Sequence, residues 1–478
     1  MAAYYTSCHP LLRRANMKRL LFRIGIAYLL LNVVLAVIFV SVGGFQMLHK
    51  ATLPVENSSP SIRSDVNYLR DVVLANEKDI SDAQAAEFLH VIDSAPLVQN
   101  EDELSLLAMR ALAVFDNAHT TVLKSQMYHL PLRFHWTADG LIIVKAQAHL
   151  QQLLGRKVVS LGGISPEALL SKTEDLIGGG TASWRRYRSQ FLYTSPSVLA
   201  FMGAQVNERT VELGLRDYDG LETLVEVTAE DELKSGDPFW DFRHAFPDNT
   251  SFDTEGWVSL LNKNQQLPLY LQNSDKLHLL RALPEHSLVY LRMNASFADK
   301  GETFEQLQQR LQNLAAEHQT KHFIVDFRFN RGGDYTKVLP IVRATADAVA
   351  SDGTLYLIVG RNTFSAGIIA ASQFKRYLPK QLKVVGSEMG DKLRFRAEGF
   401  YPTLPASGIQ LYLTKGWTDL KDGCSWLDDC WPPNKFLLRE VGSLPIDIPI
   451  ENTWESYRTG EDLILKTILS QISVGHDK

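Results

Sequence analysis

GRNTFSAGIIAA, Gly360 to Ala371, reads as the turn that ends a buried strand and opens a helix. The run before it, TLYLIV at Thr354 to Val359, is short, apolar and rich in β-branched and aromatic residues, which predicts a buried strand. Gly360 to Asn362 punctuates it, and SAGIIAA at Ser365 to Ala371 continues as a small-residue apolar helix that fits deep in a core. A serine at a helix start lies beside unpaired first-turn N–H groups, that of Ala366 among them, and the helix dipole favours negative charge there. An isolated serine in that position is ordinarily an N-cap.

A second turn of the same kind lies upstream. KHFIVDFR, Lys321 to Arg328, predicts a strand that runs into FNRGG, Phe329 to Gly333. Paired glycines after a strand allow close backbone approach and turn N–H groups outward, although NRGG alone also fits an ordinary tight turn. Taken together, the two strand-ending turns are expected to form the two walls of one oxyanion hole. From Ser287 onward strands alternate with helices: strands at 287–293, 322–328, 354–359 and 382–386, and helices at 303–318, 335–350 and 365–377. This is the β-α alternation of a packed α/β core.

These stretches resemble a family. DFRFNRGG is similar to the D-x-R-x-N-x-G-G strand and turn of the C-terminal-processing (tail-specific) and tricorn-like serine peptidases, and NTFSAG is similar to their nucleophile segment. DNAHTT at Asp116 to Thr121, LGRKVVSLGGISPEAL at Leu154 to Leu169, SLVYLRM at Ser287 to Met293 and VVGSEMG at Val384 to Gly390 follow the family's order along roughly 101–469. FYPTLPASGIQL, Phe400 to Leu411, is closer to the serine-histidine branch. The resemblance implies a ClpP- or crotonase-like superhelical core and hydrolysis of a polypeptide by Ser365. It further implies an oxyanion hole from Ala366 and Gly333, with Gly332 the alternative donor because adjacent glycines cannot be separated from sequence.

A serine hydroxyl needs a neighbouring base. The tricorn-like branch implies His119, in DNAHTT after the apolar helix Leu104 to Phe115, and an imidazole titrates near neutrality. The rival is Lys392, six residues beyond Gly386 as in the processing proteases, which would have to be buried to serve. Without Ser365, His119 would read as a structural histidine at a helix end. Asp116, Glu388 and Glu440 are candidate orienting acids. No HExxH, CxxC or Walker-type loop occurs, so metal, nucleotide and other cofactors are not expected.

Residues 24–42, IGIAYLLLNVVLAVIFVSV, contain no charge and are long enough to cross a bilayer. Arg13, Arg14, Lys18, Arg19 and Arg23 precede them, so the positive-inside rule places the N-terminus in the cytoplasm and the bulk of the chain outside. A signal peptide is the rival reading, but its apolar core would be long and no clean A-x-A site follows. The net charge of −5 and pI near 6.2, with basic runs confined to the N-terminal tail, give no case for nucleic acid. Cys424 and Cys430 stand close together on the expected external side, where a loop disulfide is one reading and two free thiols the other.

The expected organisation is a basic tail (1–23), a transmembrane signal-anchor (24–43), a Pro/Ser-rich linker (44–63) and a helical region (64–130). A mixed, β-rich region with a partial PDZ-like element (131–285) and the catalytic core (286–478) complete it. Two other functional classes fit the same sequence: a catalytically inactive peptide- or hydrophobic-ligand-binding scaffold of this fold, and a membrane-tethered interaction protein.

Overall fold

The computed structural model describes residues 9–54, 59–94, 96–235, 242–247, 256–261 and 265–476. It is a mixed α/β structure. The core is a six-stranded sheet in the order His278–Leu283, Leu288–Met293, His322–Asp326, Leu355–Val359, Leu382–Gly386 and Ile448–Pro449. Its first pair is antiparallel and the remaining pairs are parallel. The strands at 322–326 and 355–359 are buried throughout, as expected of parallel strands covered on both faces.

Helices Phe304–Glu317, Tyr335–Ala348 and Ala366–Tyr377 cover one face through Leu307, Leu311, Val338, Ile341 and Phe374. The other face carries helix Leu463–His476, whose Ile464, Ile468 and Ile472 recur every four residues and pack on Tyr290, Ile324 and Ile358. The alternation expected from 287 to 386 is present, with ends shifted by a residue or two where the helices fray.

A buried ionic network holds the strand end that leads into the NRGG turn. Asp326 accepts from the Tyr290 hydroxyl at 2.7 Å and from the backbone and Nε of Arg328 at 3.1 and 3.0 Å. The Arg328 fork then reaches Asp462, with Nη1 and Nη2 donating to its two oxygens at 3.2 and 2.9 Å. Asp462 also accepts from the N–H of Ile464 and so starts the last helix. Burial opposes the charge on Arg328, but Asp326 and Asp462 outweigh it and hold the guanidinium pKa well above its ordinary value.

Residues 131–285 form chiefly a second, seven-stranded sheet that includes Leu132–Thr137, Gly140–Gln147, Lys157–Leu161 and Thr210–Arg216. A short helix, Pro166–Leu170, capped by Ser165, follows Lys157–Leu161. The helical region differs from the expectation. Within the helical region expected at 64–130, the chain before Glu101 makes two helices, Ile62–Asn76 and Asp82–Ser94. The break falls where Glu77 leaves the helix in extended conformation and Asp79 takes a left-handed φ of 54°. The part of the expected linker at 55–58 aside, which lies outside the described residues, the stretch after the apolar helix is fastened to the domain: a short helix spans Gly44–Leu48, and Thr52 exchanges two 2.7 Å hydrogen bonds with Asn76.

Helix His9–Ser41 contains a 22-residue apolar span, Leu20–Ser41, that is long enough to cross a bilayer and is not buried against the protein. Cys424 and Cys430 are joined by a disulfide. Removing one partner of the Arg328 network strands a buried charge, so Asp462→Ala is expected to lower unfolding free energy by about 3–5 kcal/mol. Urea denaturation checks this, and a loss below about 1 kcal/mol would show that the network contributes little.

Candidate active site

The strands 322–326 and 355–359 pair in parallel, with Asp326 opposite Ile358, so the turns that leave their carboxyl ends emerge side by side. The crevice outside the carboxyl ends of parallel strands is where α/β sheets bind ligands. Here the two turns touch. The N–H of Phe364 donates to the Asn330 carbonyl at 2.9 Å. A Cβ on Gly367 would come within 2.4 Å of that same carbonyl, and one on Gly332 within 2.7 Å of Ser365 Cβ. Both glycines are therefore required by close approach.

Ser365 sits between Phe364 and helix Ala366–Tyr377 with φ 53° and ψ −124°. A non-glycine residue in this region stores on the order of 1–3 kcal/mol of strain. Its side chain makes no capping hydrogen bond, so the N-cap reading of this serine does not hold. The sharp strand-to-helix turn leaves this half-buried serine without a capping bond.

The two glycines of NRGG part company. The Gly332 N–H donates to Asn330 Oδ1 at 3.1 Å, whereas the N–H groups of Gly333 and Ala366 have no hydrogen-bond partner among the described residues. Asn330 Oδ1 also accepts from Ser296 Oγ at 3.2 Å. Ser296 brackets the turn further: its N–H donates to the Gly332 carbonyl at 2.7 Å and its carbonyl accepts from Asp334 at 2.8 Å.

His119 reaches this region from the far end of the chain. It lies just before strand Thr121–Lys124, which pairs with Gln410–Asp419 in a three-stranded sheet. Its ring is buried and stacked between Phe364, 4.3 Å away, and Phe395, 5.2 Å away. Trp184 stacks on the other face of Phe364 at 4.1 Å. Nδ1 of His119 lies 3.6 Å from Asp391 Oδ2. Neither ring nitrogen makes a hydrogen bond to a described residue, so His119 and Ser365 are not hydrogen-bonded in this conformation.

Sequence reading missed Asp391. It stands in the VVGSEMGDK stretch, and its position is fixed by the preceding Gly390, whose N–H donates to Thr363 and whose carbonyl accepts from Thr181. The three acids named from sequence lie elsewhere. Asp116, Glu388 and Glu440 are all exposed, and none of them is paired with His119. Lys392 is exposed on the rim of a cavity of about 240 Å³ lined also by Asp79, Asp116, Asp391 and Arg394, so the burial a lysine base requires is missing.

Glu77, at the helix break, was also missed. Its carboxylate accepts from Thr120 Oγ1 at 2.7 Å and from the N–H and hydroxyl of Thr414, both at 3.1 Å. It thus clamps the residue next to His119 onto the 410–419 strand. Asn117 completes the clamp, accepting from the His119 N–H at 3.1 Å while donating to Thr120 and Thr414.

No family model and no curated protein sequence matches this chain. Solved structures do. Mature CPAF complexed with lactacystin superposes with a TM-score of 0.54 at 12% identity, over 86% of this chain and 98% of that one. A second structure of mature CPAF gives 0.50 at 11% identity, over 86% and 96%. The photosystem II D1 C-terminal processing protease gives 0.33 at 12%, over 85% and 99%. The chain therefore shares the fold of CPAF over most of its length.

Two outcomes are expected from the site geometry. Ser365→Gly should raise the unfolding free energy by about 1 kcal/mol by releasing the positive-φ strain, whereas Ser365→Ala should not; equal values in thermal denaturation would contradict the strain. Burial raises the Glu77 pKa above 4.5, with the Thr120 and Thr414 hydrogen bonds opposing it. The stability this carboxyl gains from protonation is fully present below 4.5 and lost as pH rises through its raised value. The stability of wild type relative to Glu77→Gln, which cannot ionise, is thus expected to fall as pH rises above 4.5; a difference that is flat or rising with pH would refute it.

Proposed function

We propose that the protein is a membrane-anchored serine peptidase with a ClpP- or crotonase-like superhelical core, acting on polypeptides on the extracytoplasmic side. The observation that carries this reading is Ser365. It occupies a strained strand-to-helix turn without a capping bond, pressed against a second glycine-rich turn from the neighbouring parallel strand.

In the proposed reaction Ser365 Oγ attacks the scissile carbonyl. His119 takes the hydroxyl proton and returns it to the leaving amine, and Asp391 stabilises the imidazolium that forms between the two steps. The N–H groups of Gly333 and Ala366 receive the oxyanion, because they are the unpaired donors of the two turns, while that of Gly332 is held by Asn330. Water then hydrolyses the acyl-enzyme by the same proton shuttle in reverse. A serine-histidine contact that is open in the free protein and closes on substrate is common among such sites.

The anchor reading rests on Leu20–Ser41 and the basic residues before it. The Cys424–Cys430 disulfide supports an oxidising compartment for the domain.

Fluorophosphonate labelling together with peptide hydrolysis tests the assignment. Ser365→Ala should abolish both. His119→Ala and Asp391→Asn should each lower kcat by about 10²–10⁴-fold, and Lys392→Ala should leave it within about twofold. Wild-type protein that neither labels nor cleaves would favour the inactive scaffold, and loss of activity in Lys392→Ala alone would replace the base.

A further inference from the structure

The apolar helix and the disulfide loop are sequence-remote, yet they meet at one level. Leu20–Ser41 comprises 22 residues, which at about 1.5 Å per residue span about 33 Å, slightly more than the ~30 Å hydrocarbon core of a bilayer. Ser41 therefore emerges at the lipid-water interface. Trp426, inside the Cys424–Cys430 loop, donates its indole N–H to Ser41 Oγ at 3.2 Å.

The surrounding contacts hold this level in place. Gln46 donates to Asp429 at 2.5 Å, and Lys415 Nζ donates to the His49 carbonyl at 3.1 Å. Within the loop Asp428 accepts from the Ser425 N–H at 2.5 Å, and Lys435 Nζ donates to the Trp426 carbonyl at 3.1 Å. The loop is thus a shaped projection, tied at its base by the disulfide.

What it projects is apolar. Leu427 is 89% exposed and Trp426 42%, while Phe436 and Leu437 of helix Pro432–Leu437 are 51% and 46% exposed. Phe45 and Leu48, just past the apolar helix, are 63% and 65% exposed. A soluble surface scatters such residues singly, whereas a contiguous group marks an interaction site.

We propose that Trp426, Leu427, Phe436 and Leu437 form a second membrane contact, which seats the catalytic domain in the interfacial layer of the same bilayer that the helix crosses. The occupant follows from continuity: the patch begins at the residue where the membrane span ends. Indole and phenyl rings at headgroup depth are favoured by their amphipathic or apolar bodies. The consequence is a fixed orientation of the domain over the lipid surface, which limits substrates to chains that approach along or near the membrane. This inference rests on the anchor reading above.

The test uses the full chain reconstituted in phosphatidylcholine vesicles, with and without lipids brominated near the headgroup. Alkaline carbonate washing reads the anchor, and the emission difference between wild type and Trp426→Phe isolates Trp426 among the protein's tryptophans. Retention after washing, with the Trp426 component quenched roughly twofold or more by the brominated lipid and the quenching lost in Leu427→Asp, is the expected result. Retention with an unquenched Trp426 overturns the second contact and leaves the anchor intact, as does cross-linking of Leu427→Cys to a second copy in its place. Release by carbonate overturns the anchor and the seat together.

Discussion

Everything at the candidate site depends on how closely two backbone turns approach. The Asn330 carbonyl accepts from Phe364 while Gly367 passes it with no room for a Cβ, and Gly332 lies against Ser365 under the same limit. Parallel pairing of the strands at 322–326 and 355–359 brings the turns together, and the buried Asp326–Arg328–Asp462 network keeps the first of them from relaxing. Close approach in turn sets the unusual backbone of Ser365. A serine held at φ 53° cannot cap its own helix, so its hydroxyl and the Ala366 N–H stay uncommitted. Strain in the scaffold and availability of the polar groups are one feature seen twice.

The second organising element is a stack of rings in the order Trp184, Phe364, His119 and Phe395. It joins four parts of the chain: the helix at 182–192, the turn that carries Ser365, the turn before strand Thr121–Lys124 and the hairpin at 394–419. Offset aromatic packing contributes roughly 0.5–1.5 kcal/mol per pair beyond area burial. Its larger effect is geometric, since an imidazole covered on both faces keeps its plane and exposes only its edges. One edge meets Asp391. Glu77 and Asn117 then hold the turn that carries the ring, so the imidazole is positioned by residues that precede the motif as well as by the motif itself.

Much of the core was legible because its signals are local. TLYLIV and HFIVD are short, predominantly apolar runs that lead into glycine or asparagine turns, and buried parallel strands read that way. The glycines of NRGG announced a close approach, although which of their N–H groups remains free depends on the Asn330 side chain and could not be read from spacing. Asp391 was hidden for a similar reason. Its pairing with His119 spans most of the domain, and the acids nearer in sequence to the expected base or turn, Asp116 and Glu388, drew attention by adjacency alone. The helix break at Glu77 was masked by apolar spacing that continues on both sides of it. Lys392 shows the reverse case: a matching offset placed a residue correctly along the chain while its exposure, a tertiary property, removed the condition it would need.

The open serine-histidine contact follows from these constraints. Ser365 follows Phe364 directly, and Phe364 lies against one face of the imidazole. A proton can be taken only at the ring edge. In the proposed reaction the contact would close by an in-plane shift of His119 or a rotation of Ser365 about χ1, since tilting the ring would break its stacking on Phe364 and Phe395 together. In-plane motion moves Nδ1 relative to Asp391, now 3.6 Å away, and a charged imidazolium would draw that distance in. In the proposed reaction, proton uptake by the ring and tightening of the Asp391 contact are thus coupled.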